Sequence, residues 1–261
     1  MKSYFFTGIG VAIPHVGLIG TELCQNVSSG NRTLKSKKTN RKSPSLARKL
    51  TPSQERAQRT FEVILEVAGD LLKEVGVGKL STNLICERAG LTPPALYRYF
   101  PNKYAILTEL GRRLMQAEDA VVMDWLENTP DDTTMPFEQA VERRMELMRR
   151  VRQVGQDSPG GAWILRAMRA VPMLEEIRQQ SIELVATALT RKMIAAYPDT
   201  DADRLATATR LTTSLSSLAN ELINDDPSKE AGITREMAVM STLYYRNLLL
   251  GTNAGEPDSK Q

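Results

Sequence analysis

Residues Ser81 to Lys103 read STNLICERAGLTPPALYRYFPNK. The stretch is written as two short helices with a tight turn between them. Ser81 and Thr82 carry hydroxyls that can accept from the free N–H groups of a first helical turn. Ile85 and Ala89 then share a face at i, i+4 spacing. Gly90 stops this helix, because glycine enters a left-handed cap with no Cβ penalty. Thr92 stands where it can cap a second helix, and Pro93 and Pro94 follow, where a missing N–H costs least. Leu96 and Phe100 give the second helix an inward stripe. Cys86 is small and lies four residues before Gly90, so the two helices can approach closely at a steep angle, as a helix-turn-helix requires.

The second helix turns Ala95, Tyr97, Arg98 and Tyr99 outward in this reading. Asn102 caps the next helix and Lys103 lies in its first turn. Tyrosine and arginine edges beside a lysine suit the wall of a nucleic-acid groove and its phosphates. Taken alone, the pattern also describes a core helical hairpin with a solvated basic face.

The flanking sequence is helical on both sides. Phe61, Ile64, Leu65, Ala68, Leu71, Leu72 and Val75 step by threes and fours, up to Gly76 and Gly78. That helix, opened by residues 51–54, forms a back wall for Ile85 and Leu96. A long helix follows from Asn102 to about Glu127, with Ile106, Leu107, Leu110, Leu114, Val121, Val122 and Trp125 inward. The next starts at Pro136 with Phe137, Val141, Met145, Met148 and Val151 on one face. It carries Arg143, Arg144, Arg149, Arg150 and Arg152, read as a solvated face, with an acidic-effector site as the rival. Residues 162–171 form a short helix bearing Trp163 and Met168, and Pro172 opens a long one that Tyr197-Pro198 closes. Thr200 or Asp201 caps a helix striped with Leu205, Ala208, Leu211, Leu215, Leu218 and Leu222. The last begins at Ile233-Thr234 and points Met237, Met240, Leu243, Tyr244 and Leu248 inward.

Composition agrees with an all-α chain. Ala, Leu, Met, Glu and Arg dominate its 261 residues and β-type alternation is nearly absent. Charge is uneven. Residues 1–50 hold nine Lys/Arg against Glu22, a net of +8, residues 51–111 balance, and residues 112–261 carry −5. Positive charge ahead of the helix-turn-helix suits an anionic polymer. Asn31 to Leu50 holds eight of the basic residues and no acid. It reads as a solvated tail or as an arm that follows phosphates or enters a minor groove. Met1 to Leu23 is weakly apolar, but Gly8, Gly10, Pro14 and Gly17 interrupt it. It reads as an extension rather than a signal peptide or membrane span.

Chemistry is scarce. His15 is the only histidine, and Cys24 and Cys86 cannot build a disulfide framework. No metal-ligand spacing, phosphate-cradling glycine loop or paired-carboxylate motif stands out, so an enzyme, a bound cofactor and a metal site are not expected.

The segment from about Gln54 to Leu110, roughly a fifth of the chain, resembles the DNA-binding domain of the TetR (tetracycline repressor) family of bacterial regulators. The matching residues are Phe61, Ala68, Leu71, Leu72, Gly76, Ser81, Thr82, Ile85, Cys86 and Ala89-Gly90-Leu91-Thr92. Ala95-Leu96-Tyr97-Arg98-Tyr99-Phe100, Asn102-Lys103 and Leu107 complete the match. Leu84 departs from a usual polar residue, Tyr99 from a frequent histidine, and Pro93-Pro94 removes two backbone donors.

The resemblance implies an all-α protein with an N-terminal three-helix DNA-binding domain and a C-terminal helical domain for ligand binding and dimerisation. The expected organisation is a basic extension at 1–50, the helix-turn-helix domain at 51–111, the effector and dimerisation domain at 112–251, and a polar tail at 252–261. Contacts to a double-stranded operator fall to Ser81, Thr82, Thr92, Pro93, Pro94, Ala95, Tyr97, Arg98, Tyr99 and Lys103, with Thr82 and Lys103 on phosphates. The last two long helices imply a homodimer through Leu211, Leu215, Leu218, Leu222, Met240 and Tyr244. Its two recognition helices would then lie about 34–36 Å or somewhat more apart. A small, largely apolar effector would occupy the body beside Trp125, Met145, Met148, Trp163, Met168 and Leu189 and change the spacing of the heads. The helix from Asn102 is the lever in that scheme. The expected function is a cytoplasmic transcriptional repressor without catalysis or membrane attachment. An architectural DNA-binding protein of the same fold, without ligand control, is the alternative.

Overall fold

The computed structural model describes residues 55–251. The extension at 1–50, with His15, Cys24 and the basic arm, lies outside the described residues, as do residues 51–54 and the tail at 252–261. Among the described residues there are nine α-helices, one short 3-10 turn and no strand. In chain order they are α1 (Glu55–Lys79), α2 (Thr82–Ala89), α3 (Pro93–Tyr97), α4 (Lys103–Asn128), α5 (Phe137–Asp157), α6 (Gly161–Ala170), α7 (Pro172–Ala196), α8 (Ala202–Asp225) and α9 (Glu230–Leu250).

Helix boundaries follow the local chemistry. Gly76 breaks α1 at φ 71, ψ 171, leaving one further turn to Lys79. The Ser81 hydroxyl accepts from Leu84 N–H at 3.2 Å, and Gly90 ends α2 in the left-handed region at φ 63. Asn102 caps α4 by accepting from Ala105 N–H at 3.0 Å, and Asp201 caps α8 from Arg204 at 2.9 Å. α9 begins one turn before the expected Ile233. Pro227–Lys229 forms a 3-10 turn, its Asp226 carboxylate accepting from Ser228, and the turn runs straight into the helix.

The first three helices and the start of α4 share one core. Phe61, Ile64, Leu71 and Leu72 of α1 pack on Ile85, Leu96, Phe100 and Leu107, all fully buried. Phe61 stacks on Phe100 at 4.9 Å between ring centroids. Residues of this kind are worth roughly 1.5–3 kcal/mol each when fully buried. Leu84, the apolar departure on α2, is half-buried against the same core. Two ion-pair sets brace it. Arg88 on α2 forks onto Glu74 on α1 at 2.8 and 2.9 Å. Arg113 on α4 joins Glu62 of α1 at 2.5 Å and Glu109 at 3.0 Å. Burial acts to raise the Glu109 carboxyl, but hydrogen bonds from Arg112 and Arg113 outweigh it and hold the group below its ordinary value.

The body is built from α4 to α9. α4 packs on α5 and α7, α7 on α8, α8 on α9, and α5 on α9, while α6 touches α1, α4 and α7. Two glycines allow α6 and the turn before it to sit this close. A Cβ at Gly69 of α1 would lie 2.8 Å from the Pro159 backbone and side chain. A Cβ at Gly111 of α4 would lie 2.6 Å from the Met168 methyl group.

The arginine face expected on α5 is only partly solvated. Arg144 pairs with Asp132 at 3.0 Å and Arg152 with Glu230 at 3.2 Å, and both arginines are largely buried. Arg149 and Arg150 lie outside, paired with acids on α5 and α4.

Candidate nucleic-acid interface and core cavity

The corner between α2 and α3 is an exposed edge that carries hydroxyl, phenol and guanidinium groups. Ser81, Thr92, Pro93, Pro94, Tyr97 and Arg98 are exposed, and Thr82 and Ala95 are half-buried among them. Tyr97 is 37% exposed, and its hydroxyl shares a hydrogen bond with the Thr82 hydroxyl at 3.0 Å. That bond ties α3 to the first turn of α2. Thr92 holds the N-cap position of α3, but its side chain makes no capping bond, so its hydroxyl is open to other partners. Pro93 and Pro94 occupy the first helical positions, which lowers the number of free N–H groups there.

Two expected contact residues are placed differently. Tyr99 is not on the outward face. It is 6% exposed and packs its ring at 6.2 Å from Phe61. α3 lasts only five residues, and Tyr99 N–H bonds back to Leu96 C=O in the turn that follows. Its side chain thereby swings under the helix. Lys103 is half-buried rather than free. Its ammonium donates to Val77 C=O at 3.1 Å and Leu80 C=O at 2.9 Å. There it closes the C-terminal end of α1, where a cation is favoured by the helix dipole.

A cavity of about 180 Å³ lies in the body among α4, α5, α7, α8 and α9. Most of its wall is hydrocarbon. Of the residues placed beside an effector from the sequence, Trp125, Met148 and Leu189 lie on its wall. Met145, Trp163 and Met168 do not. Met168 is fully buried in the core shared with α1 and α4, seated on Gly111. Trp163 packs on that core with Arg166 over its ring at 5.0 Å. Met145 is half-buried outside the cavity wall. The polar part of the wall was missed entirely: Glu118, Asp119, Arg144, Arg178, Asn220 and Glu221. A signal for one of them was present. Met115, Glu118, Val122 and Trp125 follow helical spacing, so an acid stands on an otherwise apolar stripe. Burial, with the Asp119 charge adding to it, pushes the Glu118 carboxyl up to about 8. Asp119 is also raised by burial, against a hydrogen bond from Ser181 at 2.6 Å.

The leucine stripe of α8 divides in two. Leu205 and Ala208 are buried within the chain, but Leu211 (53%), Leu218 and Leu222 are exposed. On α9, Met237 is buried, while Met240 (55%), Leu243 and Tyr244 are exposed. With half-buried Leu215 these side chains form one apolar face across both helices, and Leu243 is a member that the sequence had directed inward. Among the described residues, no helix is long and apolar enough to cross a membrane, and no cluster of three or more His, Cys, Asp or Glu could hold a metal ion.

Residues 64–110 match the family model described as bacterial regulatory proteins, tetR family. The tetracycline repressor protein class A from transposon 1721 of Escherichia coli is 44% identical over 52 residues, which is 20% of this chain and 24% of that protein. The class C tetracycline repressor protein of Escherichia coli is 37% identical over 71 residues, 27% of this chain and 30% of that one. The chain thus spans less than a third of either relative. Over more of its length it shares a fold with a putative TetR-family transcriptional regulator from Syntrophomonas wolfei, at TM-score 0.55 and 16% identity, covering 76% of this chain and 99% of that one. A tetR-family transcriptional regulator from Streptomyces coelicolor aligns at TM-score 0.53 and 17% identity, covering 73% and 82%. The helix-turn-helix segment of this chain thus matches the tetR family model of bacterial regulatory proteins, and the helical body behind it shares the fold of solved TetR-family regulators.

Proposed function

We propose that this protein binds a palindromic operator as a homodimer, represses transcription by occluding a promoter, and is released when a small effector enters the body cavity. The observation that carries this reading is the exposed corner of Ser81, Thr82, Thr92–Pro94, Tyr97 and Arg98. It presents hydroxyls, a phenol and a guanidinium on a helix pair stiffened by the Thr82–Tyr97 bond. Those are groups that reach phosphate oxygens and base edges in a major groove. Partial similarity to two tetracycline repressors, over 52 and 71 residues, supports repression as the sign of regulation. The apolar face of α8 and α9 supports a two-fold partner. Contiguous exposed hydrocarbon of this kind marks an interaction surface, and a dimer with a two-fold axis would bring two α3 helices to one side of the duplex.

Gel shift with operator DNA recovered by genomic footprinting tests the reading. Tyr97→Ala is expected to weaken binding about 10- to 100-fold, in line with roughly 1–3 kcal/mol for a direct contact. Its thermal midpoint should stay close to the parent's, since the ring is exposed. Undiminished affinity would move the DNA surface away from α3. Lys103→Ala mixes two effects, because the same ammonium closes α1, and it is the weaker probe. For the effector, compounds that raise the thermal midpoint should also release operator DNA.

A further inference from the structure

We infer that the cavity takes an organic cation, an apolar body bearing one ammonium group that sits against Glu118 and Asp119 of α4. The inference rests on the reading of this cavity as the effector site and specifies the ligand's chemistry. The first argument is an audit of charge along the wall. Arg144 is committed to Asp132 at 3.0 Å, and Arg178 to Glu221 at 2.5 Å, with Arg169 adding to Glu221 at 3.4 Å. Glu118 and Asp119 have no cation within ion-pair distance, and Asp119 receives only the Ser181 hydroxyl. Charges taken out of water are normally paired, and the two acids on α4 are the part of the wall with no cation beside them.

The second argument is independent of those acids. Asn220 Oδ1 and Thr213 Oγ1, on the α8 wall of the same cavity, are sealed from solvent and have no hydrogen-bond partner. Buried acceptors without donors are uncommon in folded proteins and point to a missing group. An ammonium brings three donors and a charge, which answers both deficits at once. The arginine Nε groups of Arg144 and Arg178 also lack partners, but a carboxylate ligand placed on them would face Glu118, Asp119 and Glu221 together. The remaining wall is hydrocarbon from Met115, Val122, Leu147, Ile182, Val185 and Leu189, which suits the apolar body.

Protons report on this pairing. The other titratable or charged groups on the cavity wall are Asp119 beside Glu118 on α4, Arg144 on α5, Arg178 on α7, Glu221 on α8 and the phenol of Tyr245 on α9. Of these, only Asp119 is a carboxylate without an arginine. Without ligand, Glu118 holds its proton up to about pH 8. A bound ammonium favours the ionised carboxylate, so binding releases the proton and tightens as pH rises toward that value.

The test uses three probes with one aromatic body: 2-phenylethylamine, 2-phenylethanol and 3-phenylpropanoate. The amine, like a lysine side chain, stays charged below about pH 9. Calorimetry on the full chain should show the amine binding about tenfold or more tighter than either other probe. Its affinity should rise several-fold per pH unit between about pH 6 and 8. Glu118→Gln should weaken amine binding about tenfold, abolish that pH slope, and leave 2-phenylethanol binding unchanged. Asp119→Asn should weaken the amine as well. The isosteric changes keep the fold, which the thermal midpoint checks. Tighter binding of 3-phenylpropanoate, or equal amine affinity in Glu118→Gln, would overturn the inference while leaving the cavity as an effector site. If none of the three binds, the inference fails. If, in addition, no compound of any charge that stabilises the protein releases operator DNA, the effector reading fails with it.

Discussion

Tyr97 and Tyr99 stand two residues apart and do opposite work. One ring is exposed with its hydroxyl on Thr82, and the other is sealed against Phe61. Helical spacing places both outward only if the helix continues, and α3 stops at Tyr97. Sequence periodicity carries no information about so short a helix, which is why the second tyrosine was misassigned. Tyr99→Ala is therefore expected to cost stability, about 3–5 kcal/mol as for other buried aromatics, visible in urea unfolding. Tyr99→Phe should be nearly neutral in both stability and DNA affinity. Glu118 makes a second statement at this scale. Its folded-state value near 8 lies above the ordinary carboxylate range, so the proton favours the native state. That stabilisation is complete below about pH 4.5 and is lost as pH rises through about 8. Relative to Glu118→Gln, the parent should lose at most about 1.4 kcal/mol per pH unit across that window. Parallel thermal midpoints of the two proteins from pH 5 to 9 would show that the carboxyl is not held protonated.

At the scale of elements, α4 and α6 connect the two halves. α4 carries Lys103 against the end of α1, then Glu118 and Asp119 against the cavity about 22 Å further along at 1.5 Å per residue. α6 has Leu165 on the cavity and Ile164 and Met168 in the N-terminal core. The joint between α1 and the α5–α6 turn is a close contact of Gly69 with Pro159 and Gly160. Alanine normally stabilises a helix interior over glycine by roughly 0.8–1.0 kcal/mol. Gly69→Ala should reverse that sign and destabilise by about 1–3 kcal/mol through overpacking. A stabilised variant would mean that the turn can retreat from α1. None of this was legible beforehand, because a glycine in a helical stretch signals close approach without naming what approaches. The helices themselves were legible, since long apolar stripes and caps such as Ser81, Asn102 and Asp201 are local features.

At the scale of the whole molecule, Leu211, Leu218, Leu222, Met240, Leu243 and Tyr244 leave a contiguous hydrocarbon face open among the described residues. Sequence spacing marks a stripe as apolar but does not say whether its own chain or a second copy covers it. Leu205 and Leu211 share one stripe, yet the first is buried within the chain and the second is exposed. If the homodimer proposed above uses this face, Leu218→Glu together with Met240→Glu should give a folded monomer in sedimentation and reduce operator affinity sharply, because two half-sites are no longer gripped together. A variant pair that still sediments as a dimer would place the two-fold contact elsewhere. The cavity was legible only where aromatic and aliphatic residues line it. Its charged wall comes from four helices distant in sequence, and no local pattern brings them together.

The division of labour on α4 and α6 has an evolutionary corollary. The side chains that touch the cavity and the glycine seats at Gly69 and Gly111 that lock the bearing surfaces are different residues. On the effector reading proposed above, a change of ligand can be written in the chamber's lining while the close contacts at Gly69 and Gly111 stay as they are.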